Sequence, residues 1–178
     1  VAKNGNAMFC WLQLGGCLET STVAADKQRA LEAFEKALTL IDSPTDSYRI
    51  DCIEGIARMA EATGDNAKAR KRYRELFTLV TSGDQEGMSA ASESKRLGRR
   101  PEEYLLAMAS RADVNTAQEV EGFLQKLVDG LPAQSDSARE SRFQLGELRM
   151  IRKDFPGAAK TFKEFIRLYG PPQDDKGD

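Results

Sequence analysis

Apolar residues recur along this chain in one repeated phase. Ala30, Phe34, Ala37, Leu38 and Ile41 form the first set, Ala69, Tyr73, Leu76, Phe77 and Val80 the second, and Ala158, Phe162, Phe165, Ile166 and Tyr169 the third. Each set has offsets of 0, 4, 7, 8 and 11, which lays a single apolar stripe along a helix turning every 3.6 residues. In each, a small residue at the start admits a close neighbour and an aromatic four later fills the space one turn on. Each set also follows another helical stretch. Gly64-Asp65 separates 47–63 from 66–81, and Lys153-Asp154 separates 137–153 from 155–169, with Pro156 suited to a first helical turn. A longer polar loop, 20–26, joins the first pair.

The middle is less regular. Residues 86–97 read as a short helix ended by Gly98, and Pro101 starts another over 102–112. Thr116-x-x-Glu119 has the form of a capping box, ahead of an apolar face of Val120, Phe123, Leu124, Leu127, Val128 and Leu131. Ser137-x-x-Glu140 is a second such box and opens the last pair. The tail 171–178 is polar and aperiodic, and nothing reads as a strand. The expected fold is all-α: about nine helices in antiparallel pairs, the unit of an α-solenoid. They form one repeat domain over 1–170, with units at about 8–44, 47–82, 101–132 (degenerate, preceded by an extra helix) and 136–171.

These residues resemble the tetratricopeptide repeat family, whose pattern is W-x₂-L-G-x₂-Y, then A-x₃-F, then Pro. Trp11-x₂-Leu14-Gly15 matches the opening word, with Leu18 in place of Tyr, and Ala30-x₃-Phe34 follows after a three-residue insertion. In the second unit Ala57 stands where Gly is usual, and Ala69-x₃-Tyr73 follows at the normal distance. The last unit has Leu145-Gly146, Ala158-x₃-Phe162 and Pro171, with Arg142 in place of Trp. The resemblance covers 8–82 and 136–171 and fits 83–135 loosely. It implies a right-handed stack of helix pairs whose first helices line a concave groove for peptides or partner helices.

On that geometry the groove side of each first helix carries Phe9, Leu12 and Glu19 in the first unit, Asp51, Glu54, Arg58 and Glu61 in the second, and Glu140, Phe143, Glu147 and Met150 in the last. Some family members hold the acidic tails of heat-shock chaperones through Lys, Asn and Arg in the groove. Leu12, Gly16 and Gly55 occupy the matching positions here, which argues against that role. An acidic groove with apolar spots calls instead for a protein partner with an apolar segment and basic flanks.

Charge adds an alternative surface. The net charge is −2, but residues 68–100 hold nine basic and four acidic side chains. Lys68, Lys71, Arg72, Lys95, Arg96, Arg99 and Arg100 form a candidate basic face for an acidic partner, in a regulatory or assembly subunit. No aromatics are interleaved for stacking on bases, which argues against nucleic acid.

Chemistry is sparse. There is no histidine, the commonest general base and metal ligand. Cys10, Cys17 and Cys52 include no C-x-x-C pair, so we expect unpaired buried thiols, no metal site and a reducing compartment, the cytoplasm ahead of a bacterial periplasm. Leu14-Gly15-Gly16-Cys17 has the form of a lipoprotein cleavage box, but the residues before it fit a repeat helix better. Ser92-x-x-Lys95 has a nucleophile–base spacing without its companion motifs. No apolar run approaches the ~20 residues of a membrane span. We therefore expect no enzyme and no cofactor, and an interaction scaffold or adaptor.

Overall fold

The computed structural model describes residues 3–43, 46, 48–82, 85–98 and 100–170. Among them are nine α-helices and no strand: α1 (Lys3–Glu19), α2 (Ala24–Thr39), α3 (Tyr48–Ala62), α4 (Asn66–Thr81), α5 (Gln85–Arg96), α6 (Pro101–Ala109), α7 (Ala117–Gly130), α8 (Asp136–Ile151) and α9 (Phe155–Tyr169). The chain is thus all-α as its periodicity indicates. It divides into two compact units, Val1–Met108 and Ala109–Asp178, so 101–132 gives α6 to one and α7 to the other.

In the first unit each of α1 to α4 packs on the helix after it, α1 also touches α3, and α3 reaches α5. The recurrent stripes face inward: Ala30, Phe34 and Ala37 on α2, and Ala69, Tyr73, Leu76 and Val80 on α4, are buried. Phe34 sits at the centre. A Cβ built on Gly15 of α1 would lie 2.8 Å from its ring, and one on Gly55 of α3 would lie 2.7 Å away. The ring is therefore clamped between two helices at positions where only glycine fits.

In the second unit α7 packs on α8 and α8 on α9. The glycine–aromatic contact recurs, since a Cβ on Gly146 would come within 2.5 Å of the Phe162 ring. The stripe on α9 is only partly covered. Ala158 and Thr161 are buried, Phe162, Phe165 and Tyr169 are half-buried, and Ile166, expected in the core, is 57 % exposed. The reason is geometric: within this unit α9 packs on α8, and the side of the stripe turned away from α8 stays exposed.

Two turns use the same backbone solution. Gly64 (φ 82°) and Lys153 (φ 62°) adopt the left-handed conformation just past α3 and α8. Asp65 N donates to Ala60 O (2.8 Å) and Gly64 N to Glu61 O (3.0 Å), while Asp154 N donates to Arg149 O (2.9 Å) and Lys153 N to Met150 O (3.0 Å). Both are Schellman closures. The following aspartate then caps the next helix, Asp65 accepting from Lys68 N and Asp154 from Gly157 N, each at 3.0 Å.

Several local expectations change. Thr116 does stand at the start of α7, but its backbone is helical and its side chain caps nothing. Asp113 takes the free donors, accepting from Asn115 N (3.1 Å), Thr116 N (3.0 Å) and Thr116 Oγ1 (2.9 Å). The second expected box also fails. Ser135 caps α8 through Ala138 N, leaving Ser137 buried inside the first turn. Serine and aspartate recur too densely in both linkers for spacing alone to choose the cap. Cys52 is buried, and burial pushes its thiol pKa up to about 12, but Cys10 and Cys17 are exposed on α1 rather than buried; all three are free. Leu14 to Cys17 lie within α1.

Glycine substitutions test the clamp. Ala in place of an exposed helical Gly gains about 0.5–1 kcal/mol, and overpacking costs about 1–3 kcal/mol. Gly55→Ala should therefore lower stability by about 1–2 kcal/mol on balance. Gly146→Ala should come out near neutral, because Phe162 can swing outward. Gly122→Ala, with nothing within 4 Å, should stabilise. Urea midpoints give the ranking, and Gly55→Ala ranking above Gly122→Ala would refute the clamp.

Lys153→Gly relieves a left-handed non-glycine residue and should stabilise by about 1 kcal/mol. A fall in melting temperature would show that the Lys153 side chain matters more than its backbone.

Candidate functional site

The deepest concentration of sequence-predicted site residues is a cleft of about 240 Å³ between α1 and α3. Leu12, Phe34 and Tyr48 give it apolar walls, Gln13 and Gly16 border it, and Glu19, Asp51, Glu54 and Arg58 supply its charge. Helical spacing explains the set. Asp51, Glu54 and Arg58 fall three and four residues apart on one face of α3, and Leu12, Gly16 and Glu19 do the same on α1. Phe9 is 45 % exposed, and its ring meets Tyr48 edge-on with centroids 6.1 Å apart, extending the apolar wall.

Arg58 holds the two walls together. Its Nε donates to Glu19 Oε1 (2.5 Å), Nη2 to Glu19 Oε2 (2.9 Å) and Nη1 to Glu54 Oε1 (2.7 Å). Burial alone would lower its pKa; the hydrogen bonds and charge of Glu19, with the charge of Glu54, more than reverse that. Glu54 is 6 % exposed, which such pairing makes tolerable.

Asp51 is different. No described residue donates a hydrogen bond to its carboxylate or pairs with it within 4 Å. Burial raises its pKa, the negative charges of Glu93 and Glu54 raise it further, and Arg96 and Arg58 offset part of this. Glu93, itself buried, is engaged by Arg96, whose Nε lies 3.0 Å from Oε1 and 2.9 Å from Oε2. Helices α1, α3 and α5 thus all contribute to the charge around Asp51, and α5, read from sequence as an extra helix, supplies part of it. Nothing in the motif spacing pointed to Glu93.

The remaining groove candidates separate. Leu12 is not an exposed anchor; it is 8 % exposed and belongs to the core with Phe34, showing only an edge to the cleft. Glu61 sits at the edge of the α3 face, where Tyr73 Oη donates to it at 3.3 Å. On α8, Glu140, Phe143, Glu147 and Met150 all point outward as expected, with Phe143 41 % and Met150 48 % exposed. Phe143 is also tied to α9, its ring centroid 5.9 Å from that of Phe162 and 5.8 Å from that of Phe165.

Several of the basic residues are engaged by carboxylates of the chain itself. Lys68 donates to Glu35 (3.1 Å) on α2, Arg72 to Glu75 (2.7 Å), and Arg100 to Glu103 (3.3 Å). Arg96 turns toward Glu93 and Asp51. Lys71 and Lys95 are exposed, and Arg99 lies outside the described residues. Among the described residues no group of three or more Cys, Asp or Glu could hold a metal ion, and no helix is long and apolar enough to cross a membrane.

Comparison with protein-family models, with curated proteins and with solved structures returns no match to the chain.

The shift at Asp51 has a measurable sign. The folded state holds this proton more tightly than the unfolded chain. Wild-type stability therefore falls as pH rises from the ordinary carboxylate range through the raised value. Asp51→Asn should be more stable than wild type at neutral pH, with the difference shrinking as pH falls through that window. Urea melts at several pH values give the comparison. A variant less stable than wild type at neutral pH would mean that Asp51 has a favourable partner in the free protein.

Proposed function

We propose that the chain is a non-catalytic, tetratricopeptide-like interaction module. It holds a segment of another protein in the α1/α3 cleft, through an apolar contact beside a lysine or arginine. The observation that carries this reading is Asp51: a carboxylate beside apolar walls whose ionisation is penalised by burial and like charges, only partly offset by Arg96 and Arg58, neither of which pairs with it within 4 Å. A partner's cation placed there gains a charge-assisted bond and relieves the penalty together. The size of the cleft favours a side chain over a metabolite. Its volume of about 240 Å³ is below the roughly 300 Å³ at which small-molecule sites begin. The motif resemblance supports the same reading, as does the gathering of charge from α1, α3 and α5 around Asp51. The alternative, an assembly subunit meeting an acidic partner through a basic face, has less support, because Lys68, Arg72, Arg96 and Arg100 each engage a carboxylate of the chain itself.

Selection from a random displayed-peptide library on the full chain tests the proposal. Enriched peptides should carry Lys or Arg within one or two positions of a large apolar residue. Asp51→Asn should weaken them by roughly tenfold or more, the order expected for removing one partner of a desolvated charge pair. Enrichment of acidic peptides, or equal binding to Asp51→Asn, would refute it.

A further inference from the structure

The second unit carries an uncovered apolar seam between α8 and α9. Phe143, Met150, Phe155 and Ile166 are 41 %, 48 %, 56 % and 57 % exposed. On α9, Phe155, Ala159, Phe162 and Ile166 recur at intervals of four, three and four, a stripe about 16 Å long at 1.5 Å per residue. The contacts of Phe143 with Phe162 and Phe165 join this stripe to the outer face of α8. Solvent-facing aromatic and aliphatic groups in such a run mark a contact surface.

The charges along the seam say what fits it. Its α8 border carries Glu140 and Glu147, seven residues apart beside Phe143 and Met150. Its α9 border carries Lys163, with Lys160 and Arg167 further round the helix. None of these five pairs with another described residue. Their neighbours do pair: Arg149 donates to Glu121 (3.0 Å), and Arg142 to Tyr169 (2.7 Å). One border is thus negative, the other positive, and both are free.

From this pattern we infer that the seam binds a second copy of the chain. A two-fold axis running along the seam lays α8 of each copy over α9 of the other. Glu140 and Glu147 then meet the basic border twice, around a shared apolar strip. A surface that is its own complement is what a two-fold contact requires. Beyond two prolines the segment 171–178 is only polar, charged or glycine, so it offers little apolar surface to match the strip. This seam lies on helices separate from the α1/α3 cleft, so either reading can fail without the other.

Sedimentation equilibrium of the full chain at low salt gives the test. The mass should rise with concentration from 19.7 kDa to twice that value. Glu147→Lys alone and Lys163→Glu alone should each raise the dimer dissociation constant by roughly tenfold or more, since each sets like charges opposite one another. The double exchange should restore dimerisation to within a few-fold of wild type. Both substitutions are at exposed positions, and far-UV circular dichroism checks that the helices of all three variants are intact. A chain that stays at 19.7 kDa into the hundreds of micromolar would overturn the inference. So would a double exchange as weak as the single ones, because charge complementarity across a two-fold axis would then not hold.

Discussion

The first unit depends on one contact, the Phe34 ring held between Gly15 and Gly55. A helix pair is ordinarily kept apart by side chains, and 8–10 Å between axes is the usual separation. Here α1 and α3 both present glycine, so the ring from α2 reaches both backbones at once. That fixes α1 and α3 as neighbours on one side of α2. Their outer faces then form the two walls of a cleft only a few residues wide, and the residues that sit there follow from helical spacing.

The electrostatics follow from this placement. Arg58 bridges Glu19 and Glu54 because α1 and α3 are close enough for one guanidinium to span them. The same closeness partly desolvates Asp51 without supplying a donor. The carboxylate is then a cost to folding at neutral pH.

The two units solve the same problem with different completeness. Gly64 and Lys153 make the same left-handed turn, Asp65 and Asp154 the same cap, and the glycine–aromatic contact occurs in both. In the first unit α3 covers the aromatic from its second side. In the second unit nothing described does so for Phe162, and the outer half of the α9 stripe stays exposed. Its amphipathic pattern is as strong as that of α2 or α4; what differs is the number of neighbours.

The sequence by itself determined the helices, the turns at Gly64-Asp65 and Lys153-Asp154, and the stripes that face inward on α2 and α4. All are local consequences of apolar period and backbone preference, acting within a few residues. It also put Asp51, Glu54 and Arg58 on one face, because three- and four-residue spacing does so in any helix. Which serine or aspartate caps α7 and α8 was decided by geometry, since several candidates lay within reach of the same free donors. The tertiary structure alone decided that Leu12 is core, that Glu93 and Arg96 join the charge around Asp51, that Lys68 turns to Glu35 of α2, and that Ile166 stays exposed. Each of these depends on which helices lie beside which, a relation between residues far apart in the chain that no periodicity within one helix encodes.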